Sequence, residues 1–123
     1  MKKLLFLPLL LITCLCFAQD AKEIIGEPIK IGNLLVAEYD FPEEMKWDDA
    51  KSACRSLGKG WRLPTKTELN ILYKNKDKIG SFENDGYWSS TLYANSNAWF
   101  QVFDSGSRNY NRKSIWFYVR AVK

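Results

Sequence analysis

An apolar run at the N-terminus limits which part of this chain can form a folded domain. Lys2 and Lys3 precede an almost wholly apolar stretch at residues 4–17, and Ala18 follows it. A basic start, an apolar run and a small residue at the exit are typical of a secretory signal peptide. We therefore expect residues 1–18 to be removed and the folded domain to lie after them.

The same segment bears on where the protein resides. The apolar run is too short to span a bilayer, and no second run follows, so we expect no transmembrane segment after cleavage. Lipid attachment at Cys14 is an alternative, but Thr13 stands where a lipobox has Gly, Ala or Ser. The sequence predicts an exported protein that is periplasmic, secreted or attached to the surface, with an anchor at Cys14 as the less favoured case.

Charge argues against a nucleic-acid partner. The whole chain carries a net charge of +4. Removal of Lys2 and Lys3 with the signal peptide lowers it to +2. A nucleic-acid-binding protein needs a dense basic stripe and an intracellular location, and the sequence predicts neither.

The residues that support most enzyme mechanisms are missing. The chain contains no His, which excludes Ser-His-Asp and Cys-His arrangements. Cys14 and Cys16 lie in the predicted signal peptide, so Cys54 is the one cysteine of the exported chain. It lies on an apolar helix face, which favours a small buried side chain over a reactive thiol. We expect no catalytic residues and no cofactor.

Two segments have the periodicity of amphipathic helices. Apolar residues recur at steps of three and four from Trp47 to Leu57, which predicts a first helix ending before Gly58. The stretch from Thr65 to Glu68 is a capping box, which predicts that a second helix starts there and ends near residue 76.

The remaining segments predict antiparallel strands. Residues 29–39 contain two apolar runs joined by a turn at Gly32-Asn33. Further strands are expected at 87–90 and 99–103, and residues 115–122 are apolar on both alternating faces, which predicts a long, central final strand. The fold class is therefore α+β, with two helices packed on an antiparallel sheet in residues 29–123, after a polar leader at 19–28.

Three blocks of sequence together resemble one bacterial family. They are Gly60-Trp61-Arg62-Leu63-Pro64-Thr65 with Glu68-Leu69, then Tyr87-Trp88-Ser89-Ser90-Thr91, then Ala98-Trp99 through Gly106 to Val119-Arg120-Ala121-Val122. This order is similar to that of the Lcl C-terminal domain family of collagen-like adhesins, long catalogued as a domain of unknown function. The resemblance covers residues 34–123 and implies a C-type-lectin-like fold on the branch of formylglycine-generating enzymes. It implies little about function, because one fold hosts many functions.

The resemblance also shows which features are missing. The family often has a second Cys near the C-terminus, and Ala121 stands at that place here. The Glu-Pro-Asn and Trp-Asn-Asp blocks of calcium-dependent lectins are absent, because Ile29 follows Glu27-Pro28 and Phe100 follows Trp99. We expect no metal site.

One polar segment before the final strand is the strongest candidate for a ligand surface. In C-type-lectin-like folds this region commonly contacts the ligand. Arg offers a planar fork for sulfate or carboxylate, Lys a point charge and Tyr a flat face for a sugar ring. We predict a loop that binds an anionic glycan or a protein surface through Arg108, Tyr110, Arg112, Lys113, Asn95 and Asn97.

Other interpretations of the same segment stay open. It can be a solvated hairpin without a partner, since exposed loops usually have this composition. The domain can also serve a structural or assembly role in the cell envelope, in an oligomeric state that the sequence leaves open. A narrower variant is a binding protein diversified by retroelements, with scattered Asn and Tyr residues near the C-terminus. Trp61, Trp88, Trp99 and Trp116 are interpreted as core residues.

Overall fold

The fold is built from two antiparallel sheets and two main helices. The computed structural model describes residues 21–123. The α+β class predicted from the sequence is confirmed. In chain order the elements are β1 (Ile29–Ile31), β2 (Leu34–Val36), α1 (Trp47–Ser56), α2 (Lys66–Lys74), α3 (Lys76–Ile79), β3 (Gly86–Ala94), β4 (Asn97–Val102) and β5 (Arg108–Arg112).

The first sheet is a hairpin of β1 and β2, with Ile29 opposite Val36. Its turn lies at Gly32-Asn33, as the sequence predicts, and Gly32 has a φ of 59°. A left-handed residue suits the tight turn that joins two antiparallel strands, and glycine takes that conformation without a Cβ clash.

The second sheet has the order β3-β4-β5, and all its pairs are antiparallel. Residues 95 and 96 form the tight connection between β3 and β4. The register shifts twice in β3, between Trp88 and Leu92 and between Leu92 and Ala94. Such irregularities bend and twist a strand locally. The last three residues of β3 are exposed, while its first four residues are buried.

The last residues of the chain do not form the regular central strand that the sequence predicts. Residues 115–122 make isolated bridges to four segments, pairing Phe117 with Met45, Tyr118 with Tyr87, and Val122 with both Val36 and Arg62. The expectation of a central position was right, since Val119 and Val122 are fully buried. The expectation of a continuous ladder was wrong, because successive residues bond to different neighbours.

The first helix buries the stripe that its periodicity predicts. Trp47, Ala50 and Cys54 are 4%, 0% and 0% exposed. The Trp47 indole N–H donates to the Ser89 carbonyl oxygen at 2.8 Å, which fastens the helix start to β3. Cys54 is a free thiol in the described part of the chain, and burial raises its pKa to about 12.

The second helix begins with the predicted capping box. The Thr65 hydroxyl accepts the Glu68 N–H at 3.2 Å, and the Glu68 carboxylate accepts the Thr65 N–H at 2.9 Å. The same carboxylate accepts two bonds from the Arg62 guanidinium, at 2.6 and 2.9 Å. The hydrogen bond from Arg62 is the main reason that the pKa of Glu68 lies below its usual range.

We expect Arg62→Ala to lower the melting temperature by a few degrees, because the pair is partly exposed and contributes about 0.5–1 kcal/mol. Since the folded state depresses the pKa of Glu68, its contribution is present above the ordinary glutamate pKa of about 4.3 and is lost as pH falls through the folded value. Thermal melts recorded from neutral to acid pH test this. The difference between wild type and variant should shrink below about pH 4, and an equal melt at neutral pH would contradict the assignment.

Two buried clusters fill the space between helices and sheets. One surrounds Trp88 and is completed by α1, and the other surrounds Phe103 and is completed by α2. Ile25 belongs to the first cluster and is 7% exposed, although it lies in the segment expected to be a polar leader; residues 21–25 are helical.

A buried arginine links the C-terminal segment to two loops. Arg120 is fully buried, and its Nε lies 2.8 Å from Asp40 Oδ1. Its other nitrogens donate to the carbonyl oxygens of Ala37, Gly80 and Ser81. Arg62 finds its carboxylate partner, Glu68, close to the Trp61 turn, whereas Arg120 finds its carboxylate partner, Asp40, in a distant loop.

The described residues include no helix with the length and apolarity needed to cross a membrane.

Candidate functional site

The predicted ligand-binding residues lie on an edge strand and not on a loop. Arg108, Tyr110 and Arg112 belong to β5, which pairs with β4. The pairing runs from Asn97 opposite Arg112 to Gln101 opposite Arg108. Loops and edge strands share polar composition, so the sequence did not distinguish them. Because side chains alternate along a strand, these three project from the same face of the sheet.

The remaining predicted residues lie at one end of this sheet. Asn95, Arg112 and Lys113 line one open cleft of about 430 Å³, together with Asp48, Ser96 and Ser114. Asn97 lies opposite Arg112 and is half-buried, and its buried side-chain oxygen has no hydrogen-bond partner among residues 21–123. The structure thus brings Asn95, Arg112 and Lys113 together and leaves Asn97 mainly inside the sheet.

Three aromatic rings form a patch beside this cleft. Tyr93 and Tyr110 stack with ring centroids 3.6 Å apart and an interplanar angle of 1°. The Trp99 ring meets both edge-on, at 6.0 and 5.6 Å. Tyr93 is 53% exposed and Tyr110 is 40% exposed. We call these three residues the aromatic patch.

Cations surround the aromatic patch. The Lys66 ammonium lies 3.3 Å from the centroid of the Trp99 ring. Arg108 and Arg112 are exposed and occupy the positions on either side of Tyr110 on the same strand face. A flat apolar surface is therefore flanked by positive charge on at least two sides.

Positive charge continues from the cleft toward α1. Lys113 and Lys51 each place their ammonium group 4.5 Å from the centroid of the Trp47 ring. Lys51 also lines a second concavity of about 280 Å³ with Arg55, Arg62, Leu63, Thr65 and Ser90. Lys113 from the cleft and Lys51 from the pocket thus both lie against the Trp47 ring.

Comparison with known proteins assigns the chain to a family. The model of the Lcl C-terminal domain family matches residues 15–123. The chain belongs to this family. A search of curated protein sequences found no match.

Solved structures give the fold of this Lcl C-terminal domain. It is similar to botrocetin, with a TM-score of 0.61 at 12% identity, covering 80% of this chain and 96% of that one. It is also similar to EMS16, described as an antagonist of the collagen receptor integrin α2β1, with a TM-score of 0.58 at 11% identity, covering 77% and 94%. Both are C-type-lectin-like, so the predicted family and fold are confirmed.

Two parts of the site in this Lcl C-terminal domain were not predicted from the sequence. Trp99 was assigned to the core, yet it is only half-buried and forms the middle of the aromatic patch. Lys51 and Arg55 lie on the polar side of α1, and both line the pocket. Their spacing of four residues places them on one helix face, which was the available signal.

Of the other three tryptophans that were predicted to lie in the core, two are buried and one is exposed. Trp61 and Trp88 are 8% and 0% exposed, which confirms their place in the core. Trp116 is 54% exposed, so its assignment to the core was wrong. It belongs to the irregular C-terminal segment, whose side chains do not follow the alternation of a regular strand.

The aromatic patch and the cations around it offer groups that bind ligands. Within residues 21–123, no group of three or more Cys, Asp or Glu side chains is placed to hold a metal ion. With its pKa raised to about 12, the buried Cys54 thiol keeps its proton at neutral pH. What the surface does offer is aromatic faces, guanidinium forks and ammonium groups, which recognise ring systems and anions.

Proposed function

We propose that this Lcl C-terminal domain is an exported, non-catalytic ligand-binding module in adhesion, and that its ligand is an anionic glycan bound without calcium. The observation that carries the proposal is the aromatic patch with Arg108 and Arg112 flanking Tyr110. Export rests on the signal-peptide pattern of residues 1–18, which lie outside the described residues.

The patch combines the two features that an anionic sugar chain requires. An exposed tyrosine ring provides a flat apolar surface for the C–H face of a sugar ring. A guanidinium group binds sulfate or carboxylate through two parallel hydrogen bonds, and an ammonium group adds a point charge. Lys113 and the pocket cations extend the positive surface beyond the patch, so a chain longer than one sugar gains further contacts.

A protein surface is the second candidate ligand. Tyr, Trp and Arg are enriched at the energetic centres of protein interfaces, and all three types meet in and beside the aromatic patch. EMS16, described as an antagonist of a collagen receptor, has a similar fold, but at 11% identity this similarity shows the fold alone.

Removal of the edge-strand cations tests the glycan proposal. We expect the chain from residue 19 onward to bind sulfated or uronic-acid polysaccharides on a glycan array, more weakly at higher salt. The variant Arg108→Ala/Arg112→Ala/Lys113→Ala should bind about 10–100-fold more weakly, because charge-assisted hydrogen bonds are lost at a partly exposed site. Titration calorimetry on the best array ligand measures the change.

Two controls make the result specific. Lys30→Ala/Lys74→Ala/Lys78→Ala removes the same charge from exposed positions outside the site and should bind like wild type. Tyr93→Ala keeps every cation and should still weaken binding if sugar stacking contributes. If folded wild type binds no anionic glycan, the glycan proposal fails and protein ligands become the leading alternative.

A further inference from the structure

The outer side of β5 is an open sheet edge. In the described residues β5 pairs with β4 alone. The Lys113 N–H donates to Ser96 O, and Ser107 O accepts from Val102 N–H, so the main-chain groups of odd-numbered residues face β4. Because these groups alternate in direction, those of Arg108, Tyr110 and Arg112 point away from the sheet.

Two of the three outward amide N–H groups donate hydrogen bonds to side chains of the same strand. The Tyr110 N–H donates to Asn109 Oδ1 at 2.8 Å, and the Arg112 N–H donates to Asn111 Oδ1 at 2.8 Å. The Arg112 carbonyl oxygen is also occupied, since it accepts the Ile115 N–H at 3.1 Å. These bonds occupy three of the six outward main-chain groups of the strand, and two of the three are N–H donors.

Charge adds a second obstacle to pairing between copies. An antiparallel pair of β5 strands centred on Tyr110 would place Arg108 directly opposite Arg112 of the second copy, and this would occur twice. Like charges directly opposite each other in a sheet are destabilising. Exposed edges are otherwise templates for strand addition and aggregation.

We propose that Asn109 and Asn111 prevent β5 from pairing with β5 of a second copy of this chain, because they occupy its outward amides. Repulsion between Arg108 and Arg112 of the two copies opposes the same pairing. The asparagines and the arginines point to opposite faces of the strand. One set of side chains thus accepts hydrogen bonds from the outward amides, and the other set faces solvent and adds like charges along the same edge. The inference concerns the edge alone and does not depend on the identity of the ligand.

The test removes the side-chain caps. We expect Asn109→Ala/Asn111→Ala to associate more strongly than wild type, by about 10–100-fold, because two amide donors become available to each partner strand. Adding Arg112→Glu replaces both repulsive pairs by attractive ones and should strengthen association by a further factor of about ten. Sedimentation velocity over a concentration series measures both changes, and near-UV circular dichroism checks that each variant is folded.

A cross-link identifies the surface that pairs. Tyr110 meets its own copy at the centre of the expected pair, where Cα atoms lie about 5.5 Å apart, within reach of a disulfide. Tyr110→Cys in the double variant should form a disulfide dimer, whereas Tyr110→Cys alone and Tyr39→Cys in the double variant should not. Cys54 is buried and does not interfere.

Two results would overturn the proposal. The first is a folded double variant that associates no more than wild type. The second is association without the cross-link at position 110, because another surface would then be responsible. If the double variant does not fold, Asn109→Ala and Asn111→Ala singly open one amide each and are tested in the same way.

Discussion

Arg120→Ala is expected to destabilise the domain by about 3–5 kcal/mol, the largest loss among charged residues of the described chain. The substitution leaves Asp40 without its ion-pair partner, and that carboxylate is only 11% exposed. It also removes the donor to Ala37 O and both donors to the loop at residues 80–81. Breaking one side of a buried pair is costly because the remaining charge stays buried and uncompensated.

The pH dependence of this variant has a definite sign. Burial already raises the pKa of Asp40, and the Arg120 charge opposes that increase. Without Arg120 the pKa should rise further, so Asp40 takes up a proton more readily. A raised folded pKa makes the ionised carboxylate destabilising above the unfolded value, so the gap to wild type should be widest at neutral pH and narrow in acid.

Denaturant unfolding at neutral and acid pH measures the effect of Arg120→Ala. Arg62→Ala is the matched control, because it removes the same side chain from a pair that is partly exposed. We expect Arg62→Ala to cost no more than about 1 kcal/mol. Equal losses for the two arginines would contradict the distinction between a buried and an exposed pair.

The second large effect concerns two tryptophans that were both predicted from the sequence to lie in the core. Trp88→Ala should cost about 3–5 kcal/mol, whereas Trp116→Ala should change stability by less than about 0.5 kcal/mol. Trp88 is fully buried, lies 4.8 Å from Phe117 between ring centroids, and donates its indole N–H to Met45 O at 2.8 Å. Trp116 is 54% exposed.

Unfolding monitored by circular dichroism separates these cases without relying on the fluorescence of the residue that was removed. Trp88→Phe serves as a milder variant that retains part of the ring, and it should fall between Trp88→Ala and wild type. A large loss for Trp116→Ala would mean that its ring has a structural contact beyond the Lys46 ammonium, which lies 5.8 Å from the ring centroid.

Local signals in the sequence predicted the helices well. Trp47, Ala50 and Cys54 have the spacing of one helix face, and their burial follows from it. The capping box of Thr65 and Glu68 fixed the start of α2 to the residue, because it depends on contacts within one turn. Both signals are local, so they do not depend on how distant segments pack.

The features that the sequence did not predict depend on distant partners. β5 consists of polar residues and is a strand because β4 lies beside it, which no pattern within the strand reveals. The segment ending at Val122 looked like one strand because it is apolar on both faces, but its hydrogen-bond partners come from four separate places. The aromatic patch required Tyr93 and Tyr110 to meet across the sheet, and register sets that meeting.

The position of β5 has a consequence for how related genes can diverge. Its odd-numbered side chains accept hydrogen bonds from outward amides, its even-numbered ones face solvent, and none belongs to either buried cluster. Exchanging Arg108, Tyr110 or Arg112 should therefore alter what the protein binds at little cost to folding. We expect paralogous copies to differ most at these positions and to keep the asparagines between them. Binding specificity would then change through every second residue of β5.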